Sequence, residues 1–277
     1  MLGAVRNAEL IATVFPGWTA RFYCDLSTVP EDIVRSLRAL GAELVPIEMG
    51  RYGSQSMFWR FWAAADPTVE RFISRDVDSR LMARDAVAVA QWIESGLDFH
   101  VVRDHPSHSL YPMSGGLWGA KRGALPQMMR LIESFPTDSN YLTDMNFLNQ
   151  LVWPLAMEQG VLQHDAFSCV DFDGALGFPV GVDAKGLHVG QVFDERGHGR
   201  PNDVQAILST KQPDACKPGG DPQAARSGRV AEPRQQECHR MHQLHGVKPG
   251  QTWGSLPAQL QTRWQRLACD WYVSKRP

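Results

Sequence analysis

Apolar positions recur through the first 208 residues with two alternating periods. Residues 3–13 carry a helical spacing and residues 20–24 (Ala-Arg-Phe-Tyr-Cys) an extended one. Thr28-Val-Pro-Glu31 reads as a capping box with proline in the first turn, opening a helix that ends near Gly41. Ala42 to Ile47 reads as a second strand. Met57 to Ala65 reads as an aromatic-rich helix, broken by Asp66-Pro67. A short apolar strand then runs into Asp76, a helix covers 84–94 and closes at Gly96, and Phe99 to Arg103 forms the next strand. This alternation predicts an α/β domain with a mostly parallel sheet flanked by helices. Further along, Ser114 to Gly119 is a glycine-rich turn, 125–135 and 143–158 are helical, and 161–164 and 188–193 are late strands.

Beyond Leu208 the pattern fades. Residues 211–237 are rich in Pro, Gly, Gln and charge and read as a linker or disordered segment. Over 253–273, Trp253, Leu256, Leu260, Trp264, Leu267 and Trp271 recur every three to four residues, the spacing of a short amphipathic helix. The chain therefore divides into a domain over 1–208, a linker over 209–240 and a helical extension over 241–277.

The 277 residues carry a formal net charge of −2, which leaves no basic footprint for nucleic acid. No apolar run approaches the ~18 residues of a membrane span, so no integral membrane segment is expected. The first residues lack a signal-peptide layout. The five cysteines (Cys24, Cys169, Cys216, Cys238 and Cys269) are scattered and odd in number, which argues against a disulfide framework and for a reducing, cytoplasmic setting.

The densest chemistry lies in Ser74-Arg-Asp-Val-Asp-Ser-Arg80. Asp76 and Asp78, one residue apart at the carboxyl end of a strand, suit a hard divalent cation. Arg75 and Arg80 beside them suit a phosphate partner. The competing reading is a solvated strand-end turn with surface ion pairs. Asp104 and His105, in Arg103-Asp-His-Pro106, are candidates for substrate positioning, with Arg103 beside them; Pro106 argues against a helical metal-binding histidine pair with His108. Gly115 and Gly116 would let a backbone approach a sugar or phosphate. Asp144 falls in the first turn of a helix, where it either complements the helix dipole or faces a sugar. His164, at a strand end, could complete a metal site or be a hydrogen-bonded structural residue. Cys238, His239, His242 and His245 form a possible transition-metal set within an incidental His-rich stretch. Phe58, Trp59, Phe61 and Trp62 read as core.

A second Asp-x-Asp, in Cys169-Val-Asp-Phe-Asp-Gly-Ala175, resembles the nucleophile motif of haloacid-dehalogenase-like phosphatases, with Asp171 as nucleophile and Asp173 as acid/base. Ala175 stands where that family has threonine, and no acidic pair follows downstream.

Several motifs in order (Phe15-Pro-Gly-Trp18 with Arg21-Phe-Tyr, Met57-Phe-Trp-Arg-Phe61, Ser74 to Arg80, Arg103-Asp-His-Pro106, Gly115-Gly-Leu-Trp-Gly119, Asp144 with Asn146-Phe-Leu, His164-Asp165 and Val189 to Glu195) resemble a poorly characterised group of GT-A-type, Asp-x-Asp, nucleotide-sugar-dependent glycosyltransferases. The resemblance runs from about Gly3 to Phe193. It implies a GT-A-like sheet whose first, base-holding strand is missing here. It implies Mn²⁺ or Mg²⁺ held by Asp76 and Asp78, with His164 or His188 as a further ligand. It also implies a nucleotide-diphosphate sugar as donor and a glycan, lipid or protein hydroxyl as acceptor. Asp144 would serve the sugar or acceptor side, with inversion if it is a general base and retention open if it only orients the sugar. The alternatives are a phosphatase using Asp171 and Asp173, and a catalytically inactive GT-A-like binding protein.

Overall fold

The computed structural model of the chain describes residues 2–48, 53–136, 142–226 and 269–275. Helix α1 (Leu2–Val14) leads into β1 (Thr19–Cys24), α2 (Glu31–Ala39) and β2 (Glu43–Pro46). A 3-10 helix over Gly53–Ala65 precedes β3 (Arg71–Ser74), α3 (Ala83–Ser95) and β4 (Phe99–Arg103). β5 (Trp118–Lys121), β6 (Val161–Asp165), β7 (Ala175–Leu176) and β8 (Cys269–Lys275) complete one sheet in the order β2-β1-β8-β3-β5-β4-β6-β7.

Strand alternation builds a core on each face of this sheet. On β1, Phe22 packs with α1, α2 and α3, through Ala8, Ile11, Leu37, Val89 and Trp92, while Tyr23 joins the opposite face. On β3, Ile73 takes the first face and Phe72 the second, where Phe58, Trp59 and Phe61 of the 3-10 helix meet Trp118 and Phe147. Phe61 and Phe147 stack with ring centroids 6.1 Å apart, and Phe72 meets Trp118 edge-on at 4.9 Å. The aromatic run 58–62 is thus core, as its composition suggests.

The fold is α/β, but the sheet is mixed where the alternation of elements led to a mostly parallel one. β1, β2, β3, β4, β6 and β7 run one way, and β5 and β8 run against them. β5 arises where a glycine-rich turn was expected to dominate: after Gly116 the chain doubles back, and Trp118 pairs with both Ser74 and Val101. β8 lies between β1 and β3, antiparallel to both, with Phe22 opposite Trp271 and Ile73 opposite Val273. The helix expected over 253–273 is therefore a strand from Cys269 on, where Trp271, Tyr272 and Val273 are strong strand formers; residues 253–268 lie outside the described residues.

Other expectations change too. The capping box before α2 does not form, because the Thr28 hydroxyl donates to the Asp25 carbonyl 2.9 Å away. Residues 188–193 are not a strand. Gly190 has φ +89°, and only Phe193 forms a bridge, to Gly199. The helix expected over 143–158 has a π turn at Leu148–Val152 ahead of Pro154, whose missing amide interrupts the ladder. Cys169 and Cys216 are joined by a disulfide. That bond removes the compartment argument drawn from scattered cysteines. It also fastens 209–226, expected as the start of a linker, onto the domain: Cys216 is fully buried, and Pro222–Arg226 is helical. Among the described residues no helix is long and apolar enough to cross a membrane.

Three buried arginine–carboxylate pairs brace the ends of the central strands. Arg75 forks onto Asp85 at 2.8 and 2.7 Å, Arg84 onto Asp104 at 2.8 and 2.7 Å, and Arg103 meets Asp165 at 2.6 Å. Removing one member of such a pair strands a charge out of water. Asp85→Ala should therefore lower unfolding stability by about 3–5 kcal/mol, read as a drop in the urea midpoint. An unchanged midpoint would mean that Arg75 reaches solvent in the folded state.

Candidate functional site

The carboxyl end of β3 is where an α/β sheet opens a crevice for ligands, and three elements converge there. Arg60, from the middle of the aromatic 3-10 helix, is 5 % exposed, with its guanidinium carbon 5.5 Å from the centre of the Phe61 ring. A guanidinium in such a place must find carboxylates. It finds two: its Nη1 donates to Asp76 Oδ1 at 2.5 Å and its Nη2 to Asp144 Oδ2 at 2.8 Å. Asp76 follows β3, and Asp144 opens the helix Thr143–Phe147, where its Oδ1 also accepts the Met145 amide at 2.8 Å. Burial pushes the Asp144 carboxyl up from its ordinary value against the pull of Arg60. The two halves of the bridge differ: the Asp76 side chain is 41 % exposed and that of Asp144 only 9 %.

The glycine pair closes over this bridge. A Cβ on Gly116 would fall 2.4 Å from Asp76 Oδ2, and one on Gly115 would fall 2.7 Å from Arg60 Nη2 and 2.8 Å from Asp144 Oδ2. The backbone approach expected of Gly115-Gly116 is therefore made to Asp76, Arg60 and Asp144. The Gly115 carbonyl is held by the Ser74 hydroxyl at 2.7 Å, which ties the turn to the end of β3.

Compared with protein-family models, curated proteins and solved structures, the chain matches none of them.

Asp78 is half-buried, and its carbonyl accepts the Phe193 amide at 2.9 Å. Arg80 lies over the Phe193 ring at 5.1 Å and lines a cleft of about 550 Å³ with charges of both signs, Arg6, Glu9, Glu195 and Arg196. Burial lowers the pKa of Arg80, and the Asp78 charge works against that shift. Asp76, Asp78 and Arg80 thus sit on one short loop, with Arg60, Asp144, Gly115 and Gly116 joined to its Asp76 end.

The other expected site residues are elsewhere. Arg75 is 1 % exposed and committed to Asp85 and the Ser74 carbonyl. Arg103 is spent on Asp165, Gln163 Oε1 and the Pro112 carbonyl. Asp104 is fully buried, with Arg84 on both oxygens and the Val189 amide on Oδ2 at 2.9 Å. These three hold strand ends and loops together. His105 accepts the Ser107 amide at Nδ1, and its Nε2 lies 3.2 Å from the Asp203 carbonyl. His164 does not face a metal site: its Nδ1 lies 2.8 Å from His100 Nε2 and its Nε2 lies 2.9 Å from Gln91 Oε1, so both nitrogens are engaged in the core. Its burial drives its pKa down to about 3. His188, the other candidate ligand, packs against His105 and His108 with ring centroids 4.7 and 5.5 Å away. Asp171 and Asp173 are exposed residues of a turn, with no strand leading into them as a phosphatase nucleophile would need. Cys238, His239, His242 and His245 lie outside the described residues.

Among the described residues no group of three or more His, Cys, Asp or Glu side chains is arranged around one point. A magnesium-type ion does not require such a group: it takes one or two carboxylates and fills its shell with phosphate oxygens and water. Asp76 and Asp78 meet that requirement in kind. Asp76 Oδ1 is held by Arg60.

Arg60 is the residue that sequence reasoning passed over. Its signal was present, since one arginine inside Phe58-Trp59-Arg60-Phe61-Trp62 cannot be buried without acidic partners.

Proposed function

We propose that the chain is a metal-dependent glycosyltransferase that moves a sugar from a nucleotide-diphosphate donor to a hydroxyl acceptor. The observation that carries the reading is the joining of Asp76 and Asp144 through Arg60 beneath Gly115-Gly116, beside Asp78 and Arg80, at the carboxyl end of β3. Two carboxylates with one arginine in reach suit a diphosphate with its divalent ion, and a more deeply buried third carboxylate suits a sugar or an entering hydroxyl. In this reading Asp76 and Asp78 hold Mn²⁺ or Mg²⁺, and the ion supplies Lewis-acid stabilisation of the departing diphosphate. Arg80 adds positive charge from the cleft side. Asp144, its carboxyl made more basic by burial, accepts the proton of the acceptor hydroxyl or orients the sugar. The GT-A resemblance points the same way. The exposed turn around Asp171 gives the phosphatase alternative nothing comparable.

The test is a thermal-shift panel of UDP-, GDP- and ADP-sugars with and without Mn²⁺. One donor should raise the melting temperature only in the presence of the ion, and Asp78→Ala should abolish the rise while keeping the unliganded melting temperature. An ion-dependent rise that survives in Asp78→Ala would remove the metal assignment, and no rise with any donor would remove the transferase reading.

A further inference from the structure

Two features of the Arg60 bridge set its halves apart. The Asp144 half is almost closed to solvent, with a second hydrogen bond from the Met145 amide and Gly115 pressed against it. The Asp76 half is open, with the Asp76 side chain 41 % exposed. An ion pair in contact with water contributes little, because solvent screens it, whereas a pair shut in a low-dielectric site resists separation. If one half of the bridge breaks, it is the bond to Asp76. Asp76 is also the carboxylate that the proposed donor site needs.

We propose that Arg60 is an exchangeable internal cation: with no ligand it neutralises Asp76, and when a divalent ion arrives with a diphosphate it gives up Asp76 while keeping Asp144. This rests on the function proposed above and adds a positioning residue to it. Arg60 Nη1, once it gives up Asp76, can turn to the diphosphate, a partner for which a guanidinium is suited. The exchange swaps one positive partner of Asp76 for another, so the carboxylate is not left bare between states. It also makes ion and diphosphate binding mutually supportive, because the diphosphate takes up the donor that the ion displaces. Gly116 fits this role, since any side chain there would occupy the space in which the Asp76 carboxylate sits.

The decisive comparison measures Mn²⁺ binding to the full chain by electron paramagnetic resonance, with Mn²⁺ alone and with Mn²⁺ plus inorganic pyrophosphate. For Mn²⁺ alone, Arg60→Gln should bind about 5-fold tighter than the wild type, on the order of what an ion pair open to solvent at one end contributes. With pyrophosphate present the order should invert, the variant binding more weakly because the phosphate contact is gone. A merely structural arginine would weaken both measurements alike. Arg60→Lys guards against misfolding of the glutamine variant. A lysine reaches one carboxylate at a time and should show the same inversion in smaller measure. Tight wild-type binding with no inversion in either variant overturns the exchange and leaves the metal site standing. Absence of Mn²⁺ binding in every protein, with and without pyrophosphate, overturns both.

Discussion

Alanine at Gly116 should leave the fold standing and cut donor turnover by about 100-fold, the usual cost of a misplacement of about 1 Å at a reacting centre. The added methyl would lie 2.4 Å from Asp76 Oδ2 and 2.5 Å from its Cγ. Something has to move, and the Asp76 carboxylate is the end of an open side chain that can swing into solvent. Stability is then spared, but the carboxylate leaves Arg60. The neighbouring substitution behaves differently. Alanine at Gly115 meets Arg60 Nη2 and Asp144 Oδ2, both held in a buried pair. Neither can retreat, so Gly115→Ala should cost about 1–3 kcal/mol in urea unfolding, as overpacking does. The pair of measurements is specific. If Gly116→Ala turned over donor like the wild type, Asp76 would have no part in the reaction, whatever the ion requirement.

Much of this site was legible in the sequence, and the gaps have physical causes. β1, β3, β4 and β6 are apolar runs bounded by breakers, and β4 matches its expected limits residue for residue. Asp76, Asp78, Gly115, Gly116 and Asp144 were all marked, because strand ends, glycine pairs and first-turn carboxylates have local signatures. What the sequence did not show was contact. Arg75, Arg103 and Asp104 are charged residues at strand ends, as Asp76 is, and only the fold reveals that each is committed to a buried partner on another element. The same holds for His164, whose partners His100 and Gln91 are 64 and 73 residues away. Sheet direction failed for a related reason. β5 is four residues long, and β8 comes from the far end of the chain, so neither strand leaves a periodic pattern that fixes which neighbour it joins or which way it runs.

Acidification below about pH 6.5 should destabilise the protein steeply. His164 and His188 are buried neutral, and burial drives each pKa down to about 3; desolvation also holds His100, fully buried, and His108, half-buried, well below the ordinary histidine value. In the unfolded chain all four return to about 6.5. Between about pH 6.5 and pH 3 the unfolded state therefore binds more protons than the folded one, so stability falls as pH falls through that window. Each such histidine removes up to about 1.4 kcal/mol per pH unit once the pH is well below 6.5, so His164 and His188 together remove about 3 kcal/mol on going from pH 6.5 to pH 5. Asp104 and Asp144 pull the other way, because burial raises their pKa and the folded state gains protons at them first. Four histidines against two carboxylates leave the net sign with the histidines. That loss is a large part of the roughly 5–15 kcal/mol that holds a domain folded. The loop that ends on the Asp78 carbonyl through Phe193 carries His188, so donor binding should weaken along with the fold. The check is the urea midpoint measured from pH 7.5 to pH 5, in the wild type and in His188→Gln. The wild-type midpoint should drop below about pH 6.5, and there the variant's stability should fall by up to about 1.4 kcal/mol less per pH unit. A flat wild-type profile would mean that these rings reach water or a proton acceptor in the folded state, and the histidine packing described above would have to be redrawn.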